Sequence, residues 1–197
     1  MHKIEPLWLK AMFFALSGAA GYPRGQALLS DLNNCNPGKA DAAIYQKVVE
    51  RILEHLFCPA LGPPRSEHSD SSRHNRRDII MANYAEGGFW RFLRERYCAD
   101  YVVVDAKNHS GMIAKAHALQ VSNYLKEEGV GLFGIIVCRK GADKACVYTI
   151  RERWFLEGKL ILVLTDEDLK AMLEAKDAGE PAENVVRQRL EEFRLAV

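Results

Sequence analysis

The four apolar residues Tyr101-Val102-Val103-Val104 run directly into Asp105-Ala106-Lys107. An unbroken, β-branched run fits a strand buried on both faces. Such a strand needs helices on each side of its sheet. Side chains alternate along a strand, so Asp105 and Lys107 share one face and Ala106 takes the other. A buried carboxylate or ammonium costs free energy unless it is partnered. The segment therefore predicts an α/β core with a charged mouth at one strand end, next to the loop Asn108-His109-Ser110-Gly111.

The flanking sequence supplies the rest of that architecture. Ala40–Phe57 places Ile44, Tyr45, Val48, Val49, Ile52, Leu53 and Leu56 on one helical stripe. Gly62–Asn75 follows as a polar loop, and Arg76–Ala82 reads as a short strand. Gly88–Tyr97 carries Phe89, Trp90, Leu93 and Tyr97 at helical spacing. Further helices are predicted over Ile113–Lys126 and Asp143–Phe155, with apolar strands over Leu132–Cys138 and Lys159–Leu164. Thr165 reads as an N-cap before the acidic first turn Asp166-Glu167-Asp168. Pro181 opens a last helix that reaches about Leu195. Residues 1–39 are expected to form an accessory helix, Pro6–Ser17, and a Gly/Pro/Asn-rich linker, Gly18–Gly38. The α/β domain is expected over residues 40–197.

Bulk properties narrow the function classes. Lys and Arg total 27 against 26 Asp and Glu, so any affinity for nucleic acid must come from a local patch. The five cysteines, Cys35, Cys58, Cys98, Cys138 and Cys146, are odd in number and lack C-x-x-C spacing. That argues against a zinc site or a disulfide framework and fits free thiols in a cytoplasmic protein. The apolar stretch from Leu7 to Ala20 is interrupted by Lys10 and is too short for a membrane span. Ser17-Gly18-Ala19-Ala20 resembles a leader cleavage region, but the basic segment before it is weak. No G-x-S-x-G elbow, P-loop or H-x-x-x-H pair is present, so acyl transfer, NTP hydrolysis and zinc hydrolysis lack support.

A second carboxylate stands at the start of another apolar strand, in Arg76-Arg77-Asp78-Ile79-Ile80. If this strand pairs with the central one, Asp78 and Asp105 converge. Two carboxylates, waters and a phosphate oxygen make a typical Mg²⁺ site. Bound there, the metal polarises a phosphodiester and acidifies water, and Lys107 orients that water or stabilises charge on phosphate. The basic run Arg73-His74-Asn75-Arg76-Arg77, with Lys115, Arg139 and Lys140, is read as a positive rim for a phosphate backbone. The bland alternatives are a structural ion pair for Asp105 and Lys107, a turn or cap role for Asp78, and ordinary solvated charge for the rim.

Asp78 followed after a gap by Asp105-Ala106-Lys107 resembles the D…(D/E)-x-K signature of the PD-(D/E)XK restriction-endonuclease-like nucleases. The texture RRDII…FW..L…YVVVDAKN…Q..NYL…FGIIVCR is similar to uncharacterised bacterial domains of that kind, over residues 40–195. The resemblance implies an α/β fold with a central mixed β-sheet flanked by helices. It implies a Mg²⁺- or Mn²⁺-dependent endonuclease that hydrolyses DNA, acting in defence against foreign DNA. Asp78 and Asp105 would hold metal, Lys107 and Gln120 would complete the catalytic set, and Arg73, Arg76, Arg77, Asn108 and His109 would contact nucleic acid. Where similar domains often read Tyr-Glu on the first helix, this chain has Tyr45-Gln46. Glu50, one step further out on the same side, is the substitute carboxylate for catalysis and metal. A homodimer and other defence-system proteins are the expected partners. The alternative is a nuclease fold retired from catalysis that binds nucleic acid or a protein.

Overall fold

The computed structural model describes residues 24–66 and 78–196. Its elements in chain order are α1 (Arg24–Asn34), α2 (Ala42–Phe57), β1 (Arg65–Ser66), β2 (Asp78–Ala82), α3 (Gly88–Tyr97), β3 (Tyr101–Lys107), α4 (Lys115–Tyr124), β4 (Phe133–Cys138), α5 (Lys144–Glu157), β5 (Leu160–Thr165), α6 (Asp166–Asp177) and α7 (Glu183–Leu195). The strands form one sheet in the order β1-β2-β3-β4-β5. The β1/β2 and β2/β3 pairs are antiparallel, and β3/β4 and β4/β5 are parallel. The sheet is therefore mixed, with β3 at its centre, as the apolar run predicted.

Strand alternation divides the core into two layers. Val102 and Val104 of β3 join Ile135, Val137, Leu162 and the buried faces of α1, α2, α3, α6 and α7. Val103 joins Ile136, Cys138 and Ile161 against Ala118 and Val121 of α4 and Ile150 of α5. β4 has no exposed residue, as suits a parallel strand covered on both faces. Gly134 lets α4 lie close on β4, since a Cβ there would stand 2.9 Å from Val121 Cγ1.

Several elements differ from the sequence expectation. The part of the Gly18–Gly38 linker within the described residues contains helix α1, with Leu28 and Leu32 buried one turn apart in the larger core. Residues 65–66 of the expected polar loop form β1. The helix expected over Ile113–Lys126 is shorter, because Ile113 makes a parallel bridge to Ala142 and Leu125 is extended. The accessory helix Pro6–Ser17 and the basic residues Arg73, Arg76 and Arg77 lie outside the described residues. Among the described residues no helix is long and apolar enough to cross a membrane.

Arg139, expected on a solvated rim, is instead a buried organiser, with its side chain 8% exposed. Its guanidinium donates to Asp166 Oδ2 at 2.8 Å, to Cys35 O at 2.6 Å and to Asn108 Oδ1 at 2.7 Å. It also lies 4.3 Å from the Tyr45 ring centroid. Cys35 O and Leu32 O belong to the C-terminal end of α1, where carbonyls lack helical partners and the helix dipole favours a cation. Asp166 opens α6, where the dipole favours an anion. Tyr45 donates its hydroxyl to Asp166 Oδ1 at 2.7 Å. Burial, and then the Asp166 charge, push the Tyr45 pKa far above its usual value, so it remains a donor. Arg139→Ala would strand these acceptors together and is expected to lower stability by about 3–5 kcal/mol in chemical denaturation.

Candidate active site

β2 and β3 are in antiparallel register with Asp78 directly opposite Asp105. Opposed residues of an antiparallel pair project from the same face with neighbouring Cβ atoms. Register alone thus brings together two carboxylates 27 positions apart in sequence. Both are buried, with Asp78 5% and Asp105 3% exposed. The next same-face residue of β3 is Lys107, whose Nζ stands 2.9 Å from Asp105 Oδ2 and donates to Gln120 Oε1 of α4 at 3.1 Å. The contact with Asp105 is one of charge without hydrogen-bond alignment, since Oδ2 is buried and accepts no hydrogen bond.

These groups open into a cleft of about 420 Å³, lined also by Gly38, Lys39, Ala42 and Gln46 from α2 and its preceding loop. The cleft lies where β2 begins and β3 ends, with α2 on one side and α4 on the other. Among the predicted site residues, the fold brings Asp78, Asp105, Lys107, Gln120, Asn108 and His109 to this cleft. Glu50 is half-buried on α2, one turn beyond Gln46, and is not among the lining residues. Gln46 is, and it carries an amide instead of a carboxylate.

Asn108 has a structural task within the cleft wall. Its amide donates to Asn36 O and Gly38 O at 2.8 and 2.9 Å, and its Oδ1 accepts from Arg139. It therefore clamps the loop before α2 against the end of β3. His109 is exposed and its ring lies 4.8 Å from that of His117. The Ala114 N–H donates to His117 Nδ1 at 3.0 Å. Burial, and then the charge of Lys107, hold the His117 pKa below its usual value.

The donor set suits a divalent cation of the Mg²⁺ type. Such ions take one or two carboxylates and leave further positions to water and phosphate oxygens. Asp105 Oδ2, buried without a hydrogen bond beside Asp78, is the feature that such an ion would satisfy. Among the described residues no group of three or more His, Cys, Asp or Glu is placed to hold a metal ion.

No protein-family model matches this chain, and no curated protein matches it in sequence. Solved structures do match in fold. One is restriction endonuclease FokI bound to DNA, at 14% identity and a TM-score of 0.53, over 93% of this chain and 32% of FokI. Another is restriction endonuclease FokI, at 13% identity and a TM-score of 0.51, over 83% of this chain and 29% of FokI. This chain spans about a third of the FokI length. The likeness shows the fold: a restriction-endonuclease-like mixed sheet flanked by helices, as the D…D-x-K pattern implied.

Two predictions come from this geometry. Lys107→Met removes a charge that depresses His117, so the His117 pKa is expected to rise in an NMR titration of the metal-free protein. Asn108→Ala removes three hydrogen bonds from a buried clamp and is expected to cost about 1–3 kcal/mol in denaturant unfolding.

Proposed function

We propose that this chain is a Mg²⁺- or Mn²⁺-dependent endonuclease that hydrolyses phosphodiester bonds in DNA. The observation that carries the reading is the pairing of Asp78 with Asp105 in register, beside Lys107, in a cleft on a restriction-endonuclease-like fold. Asp78 and Asp105 would hold the cation. When bound, the cation supplies Lewis-acid polarisation of the phosphodiester and makes water more acidic.

The chain's own groups do the positioning. Asp105 and Gln120 fix the Lys107 ammonium from two sides, so it meets an incoming phosphate or water with little reorganisation. Glu50 is assigned a supporting part, reaching the site through a shift of side chain or water. His109, exposed at the rim, and the basic run that holds Arg73, Arg76 and Arg77 would meet the nucleic-acid backbone. The likeness to a restriction endonuclease supports a setting in defence against foreign DNA. A homodimer, alone or with other defence proteins, would bring two such clefts to the two strands. The nuclease unit is taken as residues 40–197 together with α1 and the loop that follows it, since Leu28 and Leu32 enter its core and Gly38 and Lys39 line its cleft.

Plasmid cleavage in Mg²⁺ or Mn²⁺ tests the proposal. Asp105→Ala should abolish cleavage, and Lys107→Ala should slow it by roughly 100-fold or more. Cleavage that survives both substitutions would sink the assignment. Cation binding is read separately by thermal melts. A cation at about 100 times its dissociation constant should stabilise the fold by about 2.7 kcal/mol, and Asp105→Asn should remove the effect.

One observation favours a second reading. Gln46 occupies the cleft where a further carboxylate would strengthen metal binding. A nuclease fold retired from catalysis would show no heat of Mg²⁺ or Mn²⁺ binding in calorimetry while still binding DNA or a protein partner.

A further inference from the structure

Gln46 is 9% exposed and its side chain lines the cleft. An amide on a cleft wall can offer both N–H donors and a carbonyl acceptor to whatever occupies the cleft. Its neighbours suggest what it awaits. Helical side chains lean toward the helix N-terminus, so Gln46 leans over Ala42, one turn earlier, which lines the same cleft. Ala42 is small and leaves the first turn of α2 open to the cleft.

That first turn is uncapped. Asp41 stands at the N-cap position but makes no side-chain cap hydrogen bond. Its carboxylate is turned away and accepts from Asn36 N at 2.9 Å and Asn36 Nδ2 at 3.2 Å. Ala42 N–H donates to Lys39 O at 3.3 Å, so Ala43 and Ile44 carry the remaining first-turn N–H groups of this 16-residue helix, beside the Asp41 carboxylate. Lys39, exposed on the cleft wall, adds a cation one residue beyond Gly38. Asn108 donates to Gly38 O and accepts from Arg139, and the Gly38 N–H donates to Asn108 O at 2.7 Å. The loop carrying Lys39 is thereby held rigidly against β3.

We infer that Lys39, the open N-terminus of α2 and the Gln46 amide form a subsite for a backbone phosphate of bound DNA, next to the one held at Asp78 and Asp105. The inference rests on the nuclease reading above. An amide N–H, free backbone N–H groups and an ammonium are the donors that phosphate oxygens take. The subsite would hold a non-reacting phosphate and so set the register of the strand on the acidic pair. It also gives Gln46 a use as a neutral donor that a carboxylate there could not serve.

The test measures duplex DNA binding by fluorescence anisotropy in Ca²⁺ over a series of salt concentrations, with the full chain. Lys39→Ala is expected to reduce the slope of log K against log salt by about one. Gln46→Met keeps the volume and loses the donor, and should weaken binding roughly 10-fold. Mn²⁺ affinity, measured by calorimetry, should stay within about twofold for both variants, each checked for folding by circular dichroism. Wild-type protein that binds DNA while both variants bind it equally well overturns the subsite alone. Gln46→Met that loses Mn²⁺ binding with DNA binding intact also overturns it, since Gln46 then serves the cation. Wild-type protein that binds no DNA overturns the nuclease reading and the subsite with it.

Discussion

The guanidinium of Arg139 ties together the ends of elements whose apolar faces share the larger core. It meets the carbonyl end of α1, the ring of Tyr45 on α2, the amide of Asn108 beyond β3 and the carboxylate that opens α6. Each contact answers a separate need: unpartnered helix carbonyls, an aromatic face, a side-chain oxygen and an anion at a helix start. A planar group with five donors in fixed directions can meet them at once, which an ammonium cannot. The result is a rigid seam along one end of the sheet. Because Asn108 is part of the seam, the cleft wall inherits its rigidity.

On that platform the acidic pair follows from strand register. Shifting β2 by one residue against β3 would send Asp78 to the opposite face. What prevents the slip is burial: Ile79 and Met81 enter the larger core, each 0% exposed, and a slip would expose them. The apolar residues of β2 therefore hold the carboxylate in place. Two like charges opposite each other on a sheet are unfavourable, and Lys107 stands 2.9 Å from Asp105 Oδ2 to offset that.

Much of this was legible in the residues. The apolar run before Asp105 fixes a central strand, and alternation then aligns Asp105 with Lys107. Thr165 with Asp168 closes the predicted cap, the Thr165 N–H donating to Asp168 Oδ2 at 2.7 Å. Helix α1 was hidden by the Gly/Pro/Asn composition around it, although Leu28 and Leu32 at helical spacing were a usable signal. Arg139 was misread because it sits in a basic pair with Lys140 directly after a strand, where a solvated role is the usual one. Lys39 and Gln46 gave no sign of a shared site, since one lies in turn-forming sequence and the other at the border of an apolar stripe.

Short-range periodicity by itself determined the strands, most of the helices, the mixed α/β class and the shared face of Asp105 and Lys107. These depend only on backbone geometry and on which side chains avoid water. Tertiary structure alone decided that Asp78 faces Asp105, that Gln46 and not Glu50 lines the cleft, and that Arg139 is buried. Those outcomes depend on strand register, on helix rotation against the sheet and on polar contacts across as many as 121 positions of chain. No local pattern encodes them, because each is settled by what the distant partner offers.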